Sequence, residues 1–148
     1  MCSKFGKVSV HPEQLQAVLA LSVGRDVLAI LPTGFGKTLI AFALVFLFDV
    51  LLNGPPNCRL PSARCFFPVV IMLSPLIALM TEQADTFNAF NLGIMAVALI
   101  QEQQDPLVLL RVQAGFYGLL LMSPESALER FLWIFTSSKY RANRCGVC

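Results

Sequence analysis

Residues 26–38 read DVLAILPTGFGKT. The first six form an apolar run of strand length, the next five set two glycines around a phenylalanine, and Lys37 and Thr38 open a long apolar stretch. The order is strand, glycine loop, helix. Glycines let backbone N–H groups turn inward on an anion, and the helix start adds the positive end of its dipole. Lys37 brings an ammonium to terminal phosphate oxygens, and Thr38 a hydroxyl to a divalent cation. These parts match the charges on ATP with Mg²⁺. Leu31, Pro32, Thr33, Gly34, Phe35 and Gly36 are therefore expected to bind the nucleotide together with Lys37 and Thr38. Those last two are the expected catalytic residues, and Thr38 the expected metal ligand. The generic phosphate-loop pattern has a glycine where Leu31 stands.

Working outward, the rest of the chain is unusually apolar. Of 148 residues 56% are hydrophobic and 14% charged, a balance suited to parallel strands covered by helices on both faces. A membrane span is the competing explanation, and the longest apolar stretch argues against it. Residues 39–52 are interrupted by Asp49 and fall short of the roughly 18 needed to cross a bilayer. The length suits one domain. The net charge of +2 is too mild to indicate nucleic-acid binding, although Arg130, Lys139, Arg141 and Arg144 cluster near the end. Five cysteines without a secretion signal point to reduced thiols. Cys145 and Cys148 form one CxxC, but Cys58 and Cys65 are too widely spaced to complete a zinc site.

Strand-like and helix-like segments alternate along the chain. Apolar Leu15, Val18 and Leu19 predict an amphipathic helix from Pro12 to about Val23, with Pro12 in its first turn. After residues 26–31 as the first strand and the apolar helix from Lys37, residues 53–68 hold Gly54, Pro55, Pro56, Pro61 and Pro68 and read as a loop. Residues 69–73 (VVIML) are the second strand. Ser74 and Pro75 then start a helix to about Phe90, its inward face predicted as Leu76, Leu79, Met80 and Phe87. Residues 94–99 (IMAVAL) are the third strand, residues 107–114 a weaker helix, and residues 118–122 (GLLLM) the fourth strand. Ser123 and Pro124 repeat the serine-proline helix start. Such a βαβαβαβα order implies a parallel sheet with its strand-to-helix loops gathered along one edge.

Led by Leu31, the string LPTGFGKTLI resembles the first ATPase motif of RecQ-type DNA helicases, within superfamily two of the DEAD/DEAH type. Their loops carry Pro-Thr-Gly-x-Gly-Lys-Ser/Thr without a leading glycine. Upstream, HPEQLQAVLALSVGRDVLAI (residues 11–30) resembles the family's stretch in which a glutamine, here Gln14, reads the adenine edge. An amide side chain can donate and accept at once. The family places Phe-Arg shortly before that glutamine, whereas this chain has Val10 and His11.

LSPLIALMTEQ, residues 73–83, resembles the family's next motif nearly residue for residue. The resemblance implies that Ser74, Pro75 and Gln83 hold the backbone of single-stranded DNA; the bland alternative is that Ser74 and Pro75 only cap a helix. LLLMSPESALERF, residues 119–131, resembles the following motif and adds Ser123, Pro124 and Glu125 to the same side, with capping again the alternative. A small-molecule kinase leaves SPLIALMTEQ unexplained. A DEAD-box RNA helicase is less favoured than the DNA branch by the form of the loop and of the serine-proline-leucine motif.

The resemblance implies an α/β P-loop NTPase fold, RecA-like, with a parallel sheet flanked by helices. Residues 1–148 are then an incomplete first RecA-like, ATP-binding domain. In relatives a strand carrying Asp-Glu-x-His follows, and YRANRCGVC (residues 140–148) resembles the approach to it. That acidic pair and an arginine from a second RecA-like domain complete the catalytic site. The expectation is an ATP-dependent 3′ to 5′ DNA helicase of repair and recombination. Its expected partners are single-stranded or partly duplex DNA and the second RecA-like domain, without a membrane, in the nucleus or else the cytoplasm. These residues alone are expected to bind nucleotide with little hydrolysis. The competing reading is a non-catalytic nucleotide- or nucleic-acid-binding module.

Overall fold

A computed structural model describes residues 10–55, 57, 69–100 and 105–129. The basic cluster from Arg130 to Arg144, the cysteines at 58, 65, 145 and 148, and the segment at residues 140–148 lie outside them. The chain divides into two compact units, Met1–Cys65 and Phe66–Cys148.

The first unit is built from two helices. Helix α1 spans Pro12–Ser22, with Pro12 at the position where its missing N–H is not needed. Helix α2 spans Lys37–Asn53, begins at the left-handed Gly36 and packs against α1. The predicted boundaries of α1 hold, but its inward face is rotated: Gln14, Ala17 and Val18 are buried, while Leu15 and Leu19 are exposed. Residues 26–31, predicted as a strand, carry no regular secondary structure. A strand exists only by bonding to a neighbour, and the described residues of this unit hold none. Leu28 and Ile30 accordingly stand 89% and 88% exposed.

The second unit is a three-stranded parallel sheet with helices on it. Its elements are β1 (Val70–Leu73), α3 (Ile77–Ala89), β2 (Met95–Leu99), α4 (Pro106–Gln113) and β3 (Tyr117–Met122), followed by helical residues 124–129. The order across the sheet is β1-β3-β2, so the last strand inserts between the first two. β3 pairs in parallel with both neighbours, Leu73 opposite Met122 on one side and Leu99 opposite Met122 on the other. Every residue of β3 is buried, as expected of a central strand covered on both faces.

One face of the sheet packs Leu120 and Met122 with Leu99, Tyr117, Val112 of α4 and Ala127, with Ile71, Val97 and Val108 around them. Alternation along the strand sends Leu119 and Leu121 to the opposite face. α3 packs against β2 and β3 through a buried face of Met80, Gln83, Ala84 and Phe87. The predicted inward face is half right: Met80 and Phe87 are fully buried, but Leu76 and Leu79 are exposed. Near the end of α3, Asn88 bonds the edge of β2 as another strand would. Its Nδ2 donates to Ala96 O at 3.1 Å, and Ala96 N donates to its Oδ1 at 2.8 Å. The β2–β3 register shifts at this point, between Met95 and Ala96.

Candidate nucleotide site and nucleic-acid face

The glycine loop begins where residues 26–31 end. Gly34 and Gly36 have φ of 82° and 72°, a left-handed backbone that non-glycine residues adopt only at about 1–2 kcal/mol. The loop therefore needs glycine at both places. Gly36 is also the N-cap of α2 and has no side chain with which to cap it; the first-turn N–H groups and the positive dipole end lie at the start of the helix. Lys37, exposed, lays its Nζ on Leu31 O at 2.7 Å and Pro32 O at 2.8 Å. The ammonium is thus joined to the two residues that precede Thr33.

Gln14 is 2% exposed and turned onto this loop from α1. Its Nε2 donates to Phe35 O at 2.6 Å and Gly36 O at 3.0 Å, and its Oε1 accepts from His11 N at 2.8 Å. Both amide hydrogens are thereby used on the loop's carbonyls. The sequence pattern selected Gln14 for reading adenine; the structure places its amide on the carbonyls of the glycine loop. Sequence reasoning missed a further contact: the His11 ring stacks on Phe35 with centroids 4.1 Å apart and planes 23° apart. The three-residue spacing of His11 and Gln14, by which a side chain at the third helical position reaches back to its N-cap amide, marks the Gln14–His11 bond but not this stack.

The glycine backbone, the helix start at Gly36, Lys37 and Thr38 fit a magnesium-bound triphosphate in chemical kind. Among the described residues no group of three or more His, Cys, Asp or Glu could hold a metal ion.

In the second unit the two serine-proline turns lie side by side. Ser74 follows β1 and Ser123 follows β3, adjacent parallel strands, and Ser74 N donates to Met122 O at 3.1 Å. Two of the strand-to-helix loops expected along one sheet edge are thus neighbours. Ser74 is 5% exposed and is not the cap of α3, which falls on Leu76; its Oγ accepts from Leu76 N at 3.4 Å. Ser123 does cap: its Oγ accepts from Ser126 N at 3.2 Å, and its carbonyl from Ala127 N at 2.9 Å. Pro75, Pro124 and Glu125 are exposed. The Glu125 carboxyl is held below its ordinary 4.5 by a backbone N–H and by the Ser123 hydroxyl. Gln83 lies buried on the sheet-facing side of α3, with Met80, Ala84 and Phe87.

The family model of DEAD/DEAH box helicases matches residues 11–145. The chain belongs to that family. Its relatives include the ATP-dependent DNA helicase RecQ of Haemophilus influenzae, 30% identical over 141 residues, covering 93% of this chain and 20% of the relative. The Pasteurella multocida protein of the same name is 31% identical over 127 residues, covering 84% and 17%. The ATP-dependent RNA helicase DeaD of Buchnera aphidicola is 33% identical over 98 residues, covering 66% and 14%. The chain therefore spans about a fifth or less of the length of these relatives. Its parallel sheet flanked by helices accords with an incomplete RecA-like helicase domain, and no described helix is long and apolar enough to cross a membrane.

Proposed function

We propose that this chain is the ATP-gripping part of a nucleic-acid motor, in which Mg²⁺–ATP binds at residues 31–38 and hydrolysis in the whole protein drives strand separation. The observation that carries the reading is the left-handed pair Gly34 and Gly36 opening directly into α2 at Lys37. Lys37 would exchange its two carbonyl partners for β- and γ-phosphate oxygens, and the first-turn amides would take the remaining charge. Thr38 would hold Mg²⁺, which when bound neutralises charge on the phosphates. Gln14 supports the loop from α1, and a role in recognising adenine belongs to the same proposal.

The DNA branch is favoured over RNA by the two RecQ relatives and by residues 73–83; 3′ to 5′ movement and a nuclear place in repair belong to this proposal. The turns at Ser74–Pro75 and Ser123–Pro124 would meet the strand's backbone. Titration with a fluorescent ATP analogue tests the site: Lys37→Ala should abolish binding, and unchanged affinity would defeat the assignment. Competition between DNA and RNA oligonucleotides tests the branch.

A further inference from the structure

The phosphate-site reading requires the loop's amides to face an anion, and the contacts around Phe35 supply a cause. In a planar trans peptide the carbonyl of one residue and the N–H of the next point in opposite directions. Gln14 Nε2 holds Phe35 O and Gly36 O, so the N–H groups of Gly36 and Lys37 are directed to the side of the loop away from that amide. Gln14 is oriented in turn by His11, whose N–H occupies Oε1 and leaves both amide hydrogens for the loop. The His11 ring makes the second contact by stacking on Phe35. Between Thr33 and Lys37 only Phe35 has a side chain to grip, since Gly34 and Gly36 flank it. A Cβ at Gly34 would meet nothing within 4 Å.

We propose that His11 is a positioning residue for triphosphate binding. Its backbone N–H sets Gln14, its ring braces Phe35, and together they keep the Gly36 and Lys37 amides aimed at phosphate. The inference rests on the phosphate-site reading, and it differs from a base-stacking role, in which the ring would touch adenine. The brace uses the face of the ring, so a phenylalanine at position 11 can replace it.

The test is equilibrium titration of the whole chain, with Mg²⁺, against inorganic tripolyphosphate and against a fluorescent ATP analogue. His11→Ala should weaken both ligands equally, by about tenfold, and His11→Phe should restore both to within about twofold. Phe35→Ala should reproduce the His11→Ala loss, and the double variant should add little to either. Loss confined to the ATP analogue overturns the proposal, because the ring then meets the base. Unchanged affinity in His11→Ala, failure of His11→Phe to restore binding, or full additivity with Phe35→Ala overturns it as well. Failure of the wild-type chain to bind tripolyphosphate ends the phosphate-site reading itself.

Discussion

Ser74 donates its backbone N–H to Met122 O at 3.1 Å, which ties the end of β1 to the end of β3 and brings two serine-proline turns together. Beside the second turn stands the ionised Glu125, bonded to the Ser123 hydroxyl and a backbone N–H. A phosphate approaching the same donors meets that negative charge. Glu125→Gln is therefore expected to tighten binding of labelled single-stranded DNA, measured by fluorescence anisotropy. The gain should shrink as salt screens the repulsion. Weaker binding by the variant at low salt would show that the carboxylate does not oppose the strand.

Glu125 also carries a pH signature. Its folded-state value lies below the ordinary 4.5, so its contribution to stability is fully present above 4.5 and disappears as pH falls through the lowered value. The difference in melting temperature between the wild-type chain and Glu125→Gln should be constant near neutrality and close on acidification below 4.5. A difference that widens there would contradict the assigned sign.

Gly36→Ala tests the floor of the glycine loop. A Cβ there would stand 2.8 Å from Gln14 Nε2, on a backbone with φ of 72°. The substitution both strains the loop, by about 1–2 kcal/mol, and displaces the amide that holds it. Nucleotide affinity should fall by tenfold or more, by the same estimate. Gln14→Ala should lower affinity too, and any change in preference for ATP over GTP will measure its contribution to base recognition.

Phe87 is fully buried where α3 meets the sheet. Phe87→Ala should destabilise the second unit by about 3–5 kcal/mol, seen as an earlier urea midpoint. A shift under 1 kcal/mol would mean that the site collapses around the gap.

In the second unit, strand positions were readable from sequence where apolar runs sat between turn residues, as in residues 118–122 leading to Ser123. Helix faces were not. With so many apolar residues, α1 and α3 offer leucines on several sides, and periodicity cannot choose among them. Gln14 and Gln83 went inside, and Leu15, Leu19 and Leu76 outside. The run at residues 26–31 had the length and composition of a strand, but pairing is a property of neighbours, and its own unit supplies none among the described residues. In the site, Lys37 and the glycines could be read because their chemistry depends on local order along the chain. The stack of His11 on Phe35 spans two elements and has no such local mark.

The asparagine that bridges α3 to β2 bears on self-association. Exposed sheet margins invite copies of a chain to join and grow into larger β-assemblies. At Ala96 both main-chain groups are already engaged by Asn88, so an incoming strand finds no donor or acceptor there. A helix in this protein carries the plug for its own sheet, and a chain with alanine at position 88 would lose that protection.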